Sequence, residues 1–241
     1  MMRVYSVYIT PTLFFVKPAF PEQSNQGIRK CKESAAHFLR VSITTDLLQK
    51  QYFHMFQCED LNQILFEDQL EKIFKNGFSL AGLHFSFVAA SGSAYKNLSG
   101  WYVNDQKNKK ELIKSFGQFR PEIMSKRLAR IGQVYSTSRR ILDIPLDQIV
   151  REEEITNGTE YNFTDGCGYI STSLMKHVLD EYDLVKCSAV QIRLGGAIKG
   201  VLQENPDLGQ DDLIAYRDGM KKFEPSGNML DLGIIRCSTF S

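Results

Sequence analysis

Four cations punctuate one stretch of this chain, Arg193, Lys199, Arg217 and Lys222, and each stands on or beside an expected strand or a glycine turn. From Ser188 to Leu194, Val190, Ile192 and Leu194 alternate with Ala189, Gln191 and Arg193. A period of two sends the apolar set to one strand face and Gln191 with Arg193 to the other. Gly195-Gly196 then interrupts the strand and lets backbone approach a ligand, while Lys199 and Lys221-Lys222 add compact cations. Such a donor set suits phosphate. It points to a polyphosphate or a nucleic-acid backbone, with electrostatic stabilisation of transferred phosphoryl charge as the most it could add to catalysis.

Other candidate groups carry less. The sequence holds no G-x-x-x-x-G-K-[ST] phosphate loop, no H-E-x-x-H and no G-x-S-x-G elbow. Glu152-Glu153-Glu154 could bind a cation, but adjacent acids rarely converge on one ion, so a solvated face is the better reading. Asp165 is read as a turn-capping aspartate rather than a base or metal ligand, since no companion carboxylate stands at useful spacing. His177 is a packed or surface histidine, and Trp101, the single tryptophan, is a packing anchor before it is a base-stacking platform. No metal ligand and no catalytic carboxylate is assigned.

The elements that must position these residues follow from periodicity and punctuation. Residues 3–9 and 12–17 read as two strands joined at Pro11, and Phe38–Thr44 as a third. Lys17–Lys32, with two prolines and Gly27, reads as a surface loop. Leu61, Ile64, Leu65, Ile73 and Phe74 recur at helical spacing across Asp60–Asn76, with Asp60 as N-cap and Gly77 as the stop. Leu83–Ala90 is a buried strand, followed by a loop as far as Trp101. Pro121 opens a helix to Arg130 that Gly132 terminates, and Ser136–Arg140 sets hydroxyls beside guanidiniums that either contact phosphates or cap a turn. Asp165-Gly166-Cys167-Gly168 is a tight turn into a helix capped by Ser171 or Thr172. The weakest seam, Lys107–Pro121, divides the chain into residues 1–120 and 121–241.

The 241 residues can bury a substantial core, and 43% hydrophobic with 24% charged residues is ordinary for a globular protein. A net charge of +1 says nothing about partners. Locally, residues 107–140 carry ten Lys and Arg against Glu111 and Glu122, and residues 143–165 carry seven acids against Arg151. These read as solvated faces that partly neutralise each other. The five cysteines (Cys31, Cys58, Cys167, Cys187, Cys237) include no C-x-x-C pair, which suggests reduced thiols in an intracellular protein. The apolar N-terminus is broken by Ser6, Thr10, Pro11 and Thr12, unlike a signal peptide, and no later run approaches membrane-spanning length. A chain that is not secreted, cytoplasmic or nuclear, without membrane contact, is expected.

Three motifs in order carry a resemblance: YNFTDGCGYIS (161–171), SAVQIRLGGAIKGV (188–201) and YRDGMKKF (216–223). With VYITPTLFFVKP, FLRVS, FSFVAASGSAYKNLSGWY and FGQFRPEIMSKRLARIGQVYSTSR before them, the series resembles the eukaryotic cellular RNA-directed RNA polymerases of gene silencing, over nearly the whole chain. The resemblance implies an α+β chain whose mixed N-terminal region is followed by an incomplete first double-psi β-barrel. It implies nucleotidyl transfer on a single-stranded RNA template from nucleoside triphosphates, giving double-stranded RNA, with Mg2+ held by a D-x-D-G-D cluster of a second barrel. Lys199 and Lys222 match the family lysines that face that centre and are expected to contact phosphates. Arg193 and Arg217 fall on the motif arginines, with a role in RNA binding or barrel packing, and Gln191 joins the polar strand face.

The sequence departs from the family pattern in three places. It contains no D-x-D-G-D. The turn before Lys199 is one residue longer, which flips a strand's side chains unless a bulge absorbs it. Cys187 and Gly219 replace an expected proline and serine. We expect an N-terminal piece of the catalytic region, inactive alone, with a second barrel on another chain as a candidate partner. A non-catalytic RNA-binding remnant or decoy is the alternative, and a barrel that fails to close without its partner is the third.

Overall fold

The protein is described by a computed structural model over residues 2–10, 13–22, 24–31, 35–44, 59–120, 123–158, 161–209 and 211–239. Cys58, Pro121 and the side chains of Leu61, Ile64 and Leu65 lie outside the described residues. The fold is α+β. It divides into two compact units, Met1–Glu22 with Cys31–Ile113, and Gln23–Lys30 with Lys114–Ser241. The division falls between Ile113 and Lys114 rather than at 120/121, and residues 23–30 belong with the C-terminal part.

In the first unit, β1 (Met2–Ile9), β2 (Phe14–Glu22), β3 (Phe38–Ile43), β4 (Phe78–Leu80), β5 (Leu83–Ala89) and β6 (Ser99–Asn104) form one sheet in the order β2-β1-β3-β6-β5-β4. Only β1 and β3 run parallel among its pairs. Val7, Ile9, Leu39, Val41, Phe85 and Tyr102 bury one face, with Ile73 of the Glu59–Asn76 helix against it. Gly77 ends that helix at φ +78°, and a Cβ there would stand 2.1 Å from the Phe85 carbonyl oxygen, so only glycine fits. Trp101 is buried on β6 beneath the Arg40 guanidinium, the packing role expected of it. No helix among the described residues is long and apolar enough to cross a membrane.

Two expectations here are corrected. The stretch 17–32 is not a surface loop: β2 runs on to Glu22, and Gln26–Lys30 forms a buried helical turn of the second unit. The segment after β5 contains a short helix, Gly92–Lys96, whose N-cap Ser91 accepts from the Ala94 N–H at 3.2 Å.

The second unit adds β7 (Gly117–Gln118), β8 (Arg139–Pro145), β9 (Ile149–Arg151), β10 (Cys167–Ile170), β11 (Ala189–Leu194), β12 (Ile198–Glu204), β13 (Ile214–Tyr216), β14 (Glu224–Pro225) and β15 (Met229–Ser238). Seven of these make a mixed sheet in the order β8-β15-β11-β12-β10-β13-β9, while β7 and β14 pair separately. Strand β11 lies centrally, antiparallel to β12 and β15, so both of its edges are satisfied. Its Val190, Ile192 and Leu194 are fully buried, worth about 1.5–3 kcal/mol each in transfer terms. They pack with Ile144, Ile170, Leu202, Ile214, Leu232 and Ile234, and with Leu174 and Val178 of the Thr172–Tyr182 helix. Ser171 caps that helix as expected, its Oγ accepting from the N–H groups of Leu174 at 3.3 Å and Leu213 at 3.0 Å. The preceding helix, Met124–Val134, runs through Gly132 instead of stopping there.

Candidate functional site

The alternation read from the sequence is the alternation of the strand: Val190, Ile192 and Leu194 point into the core, Gln191 is exposed and Arg193 half-buried. Antiparallel pairing sets Arg193 opposite Lys199 on β12 and Gln191 opposite Val201. On the other edge, β15 places Arg236 opposite Gln191. The longer turn is absorbed outside the ladder. Leu194 pairs directly with Ile198, and Gly195, Gly196 and Ala197 close the loop with an Ala197 N–H to Leu194 carbonyl bond of 3.1 Å. Lys199 therefore keeps to the face of Arg193.

Lys222 reaches the same place along a different path. Its backbone N–H donates to the Ala197 carbonyl at 2.9 Å, the neighbouring Lys221 bridges Ile198, and its Nζ donates to the Gly219 carbonyl. Burial, then the charges of Arg193 and Lys222, hold Lys199 below its ordinary value, so the three cations lie close enough to repel one another. No carboxylate pairs with any of the three among the described residues. Lys221, one residue away, does have a partner, Glu224 at 2.6 Å. Arg193 is also desolvated: its Nη1 donates to the Ile192 carbonyl at 3.0 Å, while its Nε is buried with no hydrogen-bond acceptor among the described residues. A cluster without a carboxylate partner among the described residues, with an unused donor, has the chemistry to accept an anion.

Arg217 does not join them. It is 3% exposed, and its guanidinium is spent on the carbonyls of Glu153 and Cys167, each at 2.8 Å, beside the Tyr169 ring at 5.0 Å. Of the two roles expected for it, packing is the one its geometry allows. The glycine pair also differs from expectation. Gly195 and Gly196 sit at φ +56° and +72°, and Cβ atoms there would meet Leu230 and Val134 at 2.9 and 3.0 Å, so they serve close packing rather than approach to a ligand.

The remaining polar candidates are occupied. Arg139 pairs with Glu181 at 2.7 Å and Arg140 with Asp143 at 2.9 Å, both pairs about half exposed. Arg151 pairs with Asp218. Burial pushes Glu154 up, but bonds from Gly219, Asn162 and Thr164 outweigh it and hold the carboxyl below its ordinary value, as an internal strut of the turn. Gly166, at φ +74°, lies in the turn with Asp165, but Cys167 and Gly168 are not part of it: they open β10, which separates the turn from the helix. His177 is exposed, with Asp212 at 3.4 Å. No group of three or more His, Cys, Asp or Glu among the described residues is placed to hold a metal ion. What sequence spacing missed is a pair of glutamines, Gln26 and Gln133, that reach the turn between β11 and β12 from far along the chain.

Comparison with known proteins adds to this geometry. The family model described as RNA dependent RNA polymerase matches residues 9–241. The chain is 30% identical to RNA-dependent RNA polymerase 6 of Arabidopsis thaliana, over 95% of its own length and 21% of that protein. It is 28% identical to RNA-dependent RNA polymerase 1 of Schizosaccharomyces pombe, over 100% of its length and 20% of that protein. The solved structure of the RNA dependent RNA polymerase QDE-1 from Thielavia terrestris superposes with a TM-score of 0.75 at 19% identity, over 98% of this chain and 28% of that one. The chain thus spans about a fifth of the length of these curated relatives. It belongs to the eukaryotic cellular RNA-dependent RNA polymerase family.

Proposed function

We propose that this chain supplies a phosphate-binding face of an RNA-directed RNA polymerase, which extends RNA by nucleotidyl transfer on a single-stranded template from nucleoside triphosphates. The convergence of Arg193 and Lys199 on one sheet face with Lys222 beside them, without a carboxylate partner among the described residues, is the observation that carries this reading. Gln191 lies on the same face and adds a neutral donor and acceptor. The seven-stranded sheet is then the first double-psi barrel region, and double-stranded RNA made for silencing is the product. Such a face binds template or nucleotide phosphates and stabilises charge that develops on a transferred phosphoryl group.

Metal chemistry needs carboxylates, and the sequence contains no D-x-D-G-D, so the 241 residues alone bind RNA without extending it. Titration of a labelled single-stranded RNA against wild type and Lys199→Ala/Lys222→Ala tests the binding face. We expect roughly tenfold weaker binding in the variant at about 0.1 M salt, and a salt dependence shallower by about 1 to 2 in log–log slope. Equal affinities and slopes would remove these lysines from the RNA surface. RNA synthesis by the purified chain with Mg2+ and nucleoside triphosphates would overturn the expectation of inactivity.

A further inference from the structure

We propose that Gln26 and Gln133 are positioning residues for the cationic face: they clamp the turn between β11 and β12 so that Arg193, Lys199 and Lys222 keep one shared orientation toward a phosphate. This rests on the reading given under Proposed function and names what holds that site together.

The turn Gly195-Gly196-Ala197 is where all three cations are attached. Arg193 leads into it, Lys199 leads out of it, and the Lys222 N–H is bonded to its Ala197 carbonyl. Two successive residues at positive φ give this loop little stiffness of its own. The charges it carries repel one another, and no acidic side chain among the described residues pairs with them. The backbone must be held from outside.

Two buried amides do so. Gln133, on the Met124–Val134 helix and 8% exposed, donates through Nε2 to the Gly196 carbonyl at 2.7 Å. Gln26, 5% exposed, donates through Nε2 to the Arg193 carbonyl at 2.9 Å and to the Asp231 carbonyl at 2.6 Å. The Asp231 carbonyl also accepts the Gly195 N–H at 2.9 Å, and its carboxylate is held by Arg29 through contacts of 2.7 and 2.8 Å. An apolar side chain of the same volume would fill either position and leave the Gly196 or Arg193 carbonyl without that donor. The amide, and not its bulk, is what these sites require. Fixing the backbone under a charged group is how outer contacts tune a binding site without touching the ligand.

The test uses the 241-residue chain with Gln26→Met and Gln133→Met, and with Gln106→Met, an exposed glutamine of the first unit, as the control. Three quantities are read: the pH titration of Lys199 by lysine-selective NMR, affinity for single-stranded RNA and for inorganic tripolyphosphate across salt, and the thermal midpoint. We expect the Lys199 midpoint to move up toward its ordinary 10.5 in both variants as the cluster relaxes, with the control unmoved. Affinity for both ligands falls on the order of tenfold with the salt slope unchanged, because no cation has been removed. A lower thermal midpoint with an unmoved Lys199 titration and unchanged affinity would make the glutamines ordinary core residues and overturn the proposal. A moved Lys199 titration in a protein that binds neither RNA nor tripolyphosphate as wild type would uphold the clamp and overturn the phosphate-binding reading instead. Should Gln133→Met fail to fold, Gln133→Asn keeps the amide on a shorter arm and is judged by the same outcomes.

Discussion

At the scale of the residue, Lys199 and Arg217 show how differently two motif cations can be used. Lys199 is held low by burial, Arg193 and Lys222, so a phosphate bound there as proposed would raise it again, and binding would take up a proton between the free and bound values. The Lys199 contribution to tripolyphosphate affinity, read as the ratio of wild type to Lys199→Met so that the ligand's own titration cancels, is therefore expected to be constant well below the free Lys199 value and to fall as pH rises through it, beginning below 10.5. Calorimetric titration of both proteins across that range checks this. Arg217 makes the opposite case. Arg217→Met leaves the Glu153 and Cys167 carbonyls without their donor and should cost about 2–4 kcal/mol by urea unfolding, with tripolyphosphate affinity unchanged in the folded fraction. The Gln191 and Arg193 side was legible because period two in a strand fixes a side chain's face. Arg217 was not, because it precedes the short 3-10 turn Asp218–Met220, where no period tells inside from outside.

At the scale of the element, the turn between β11 and β12 tolerates little. In Gly196→Ala the new Cβ would lie 3.0 Å from Val134 Cγ2 and 3.1 Å from Gln26 Oε1, on a backbone at φ +72°. We expect a loss of about 1–3 kcal/mol, seen as a lower thermal midpoint, together with weaker RNA binding. The errors of sequence reading at this scale have physical causes. Pro18 and Pro21 argued against a strand, yet β2 is at the sheet edge, where a missing N–H costs no ladder bond. Gly132 looked like a stop, but it lies in the buried last turn of its helix beside Ile131, Gln133 and Val134, where tertiary packing outweighs the roughly 1 kcal/mol cost of a helical glycine. Ala189–Leu194 came through within a residue because burial and local preference agree there, and Glu59–Asn76 because Gly77, at φ +78°, fixes its end.

At the scale of the whole molecule, the second unit is discontinuous in sequence: residues 23–30 belong to it, although the chain on both sides of them belongs to the first. Arg29 joins Asp231, side chains 12% and 20% exposed, and also donates to the Ser138 carbonyl at 2.8 Å. Arg29→Met should cost about 2–4 kcal/mol, and hydrogen exchange should show protection lost first along β15 and β11. None of this was readable from composition or motif, because a buried ion pair between positions 202 residues apart leaves no local pattern. The same separation governs how the protein is made. On a ribosome adding about 5–20 residues each second, Gln26 emerges and then waits roughly 10–40 s for the Asp231 carbonyl it will hold, 205 residues later. The Gln133 bond to Gly196 can form once β12 is out, but the Gln26 bond to Asp231 and the β15 edge of β11 wait for the last residues of the unit, so the cationic face takes its final form late in synthesis.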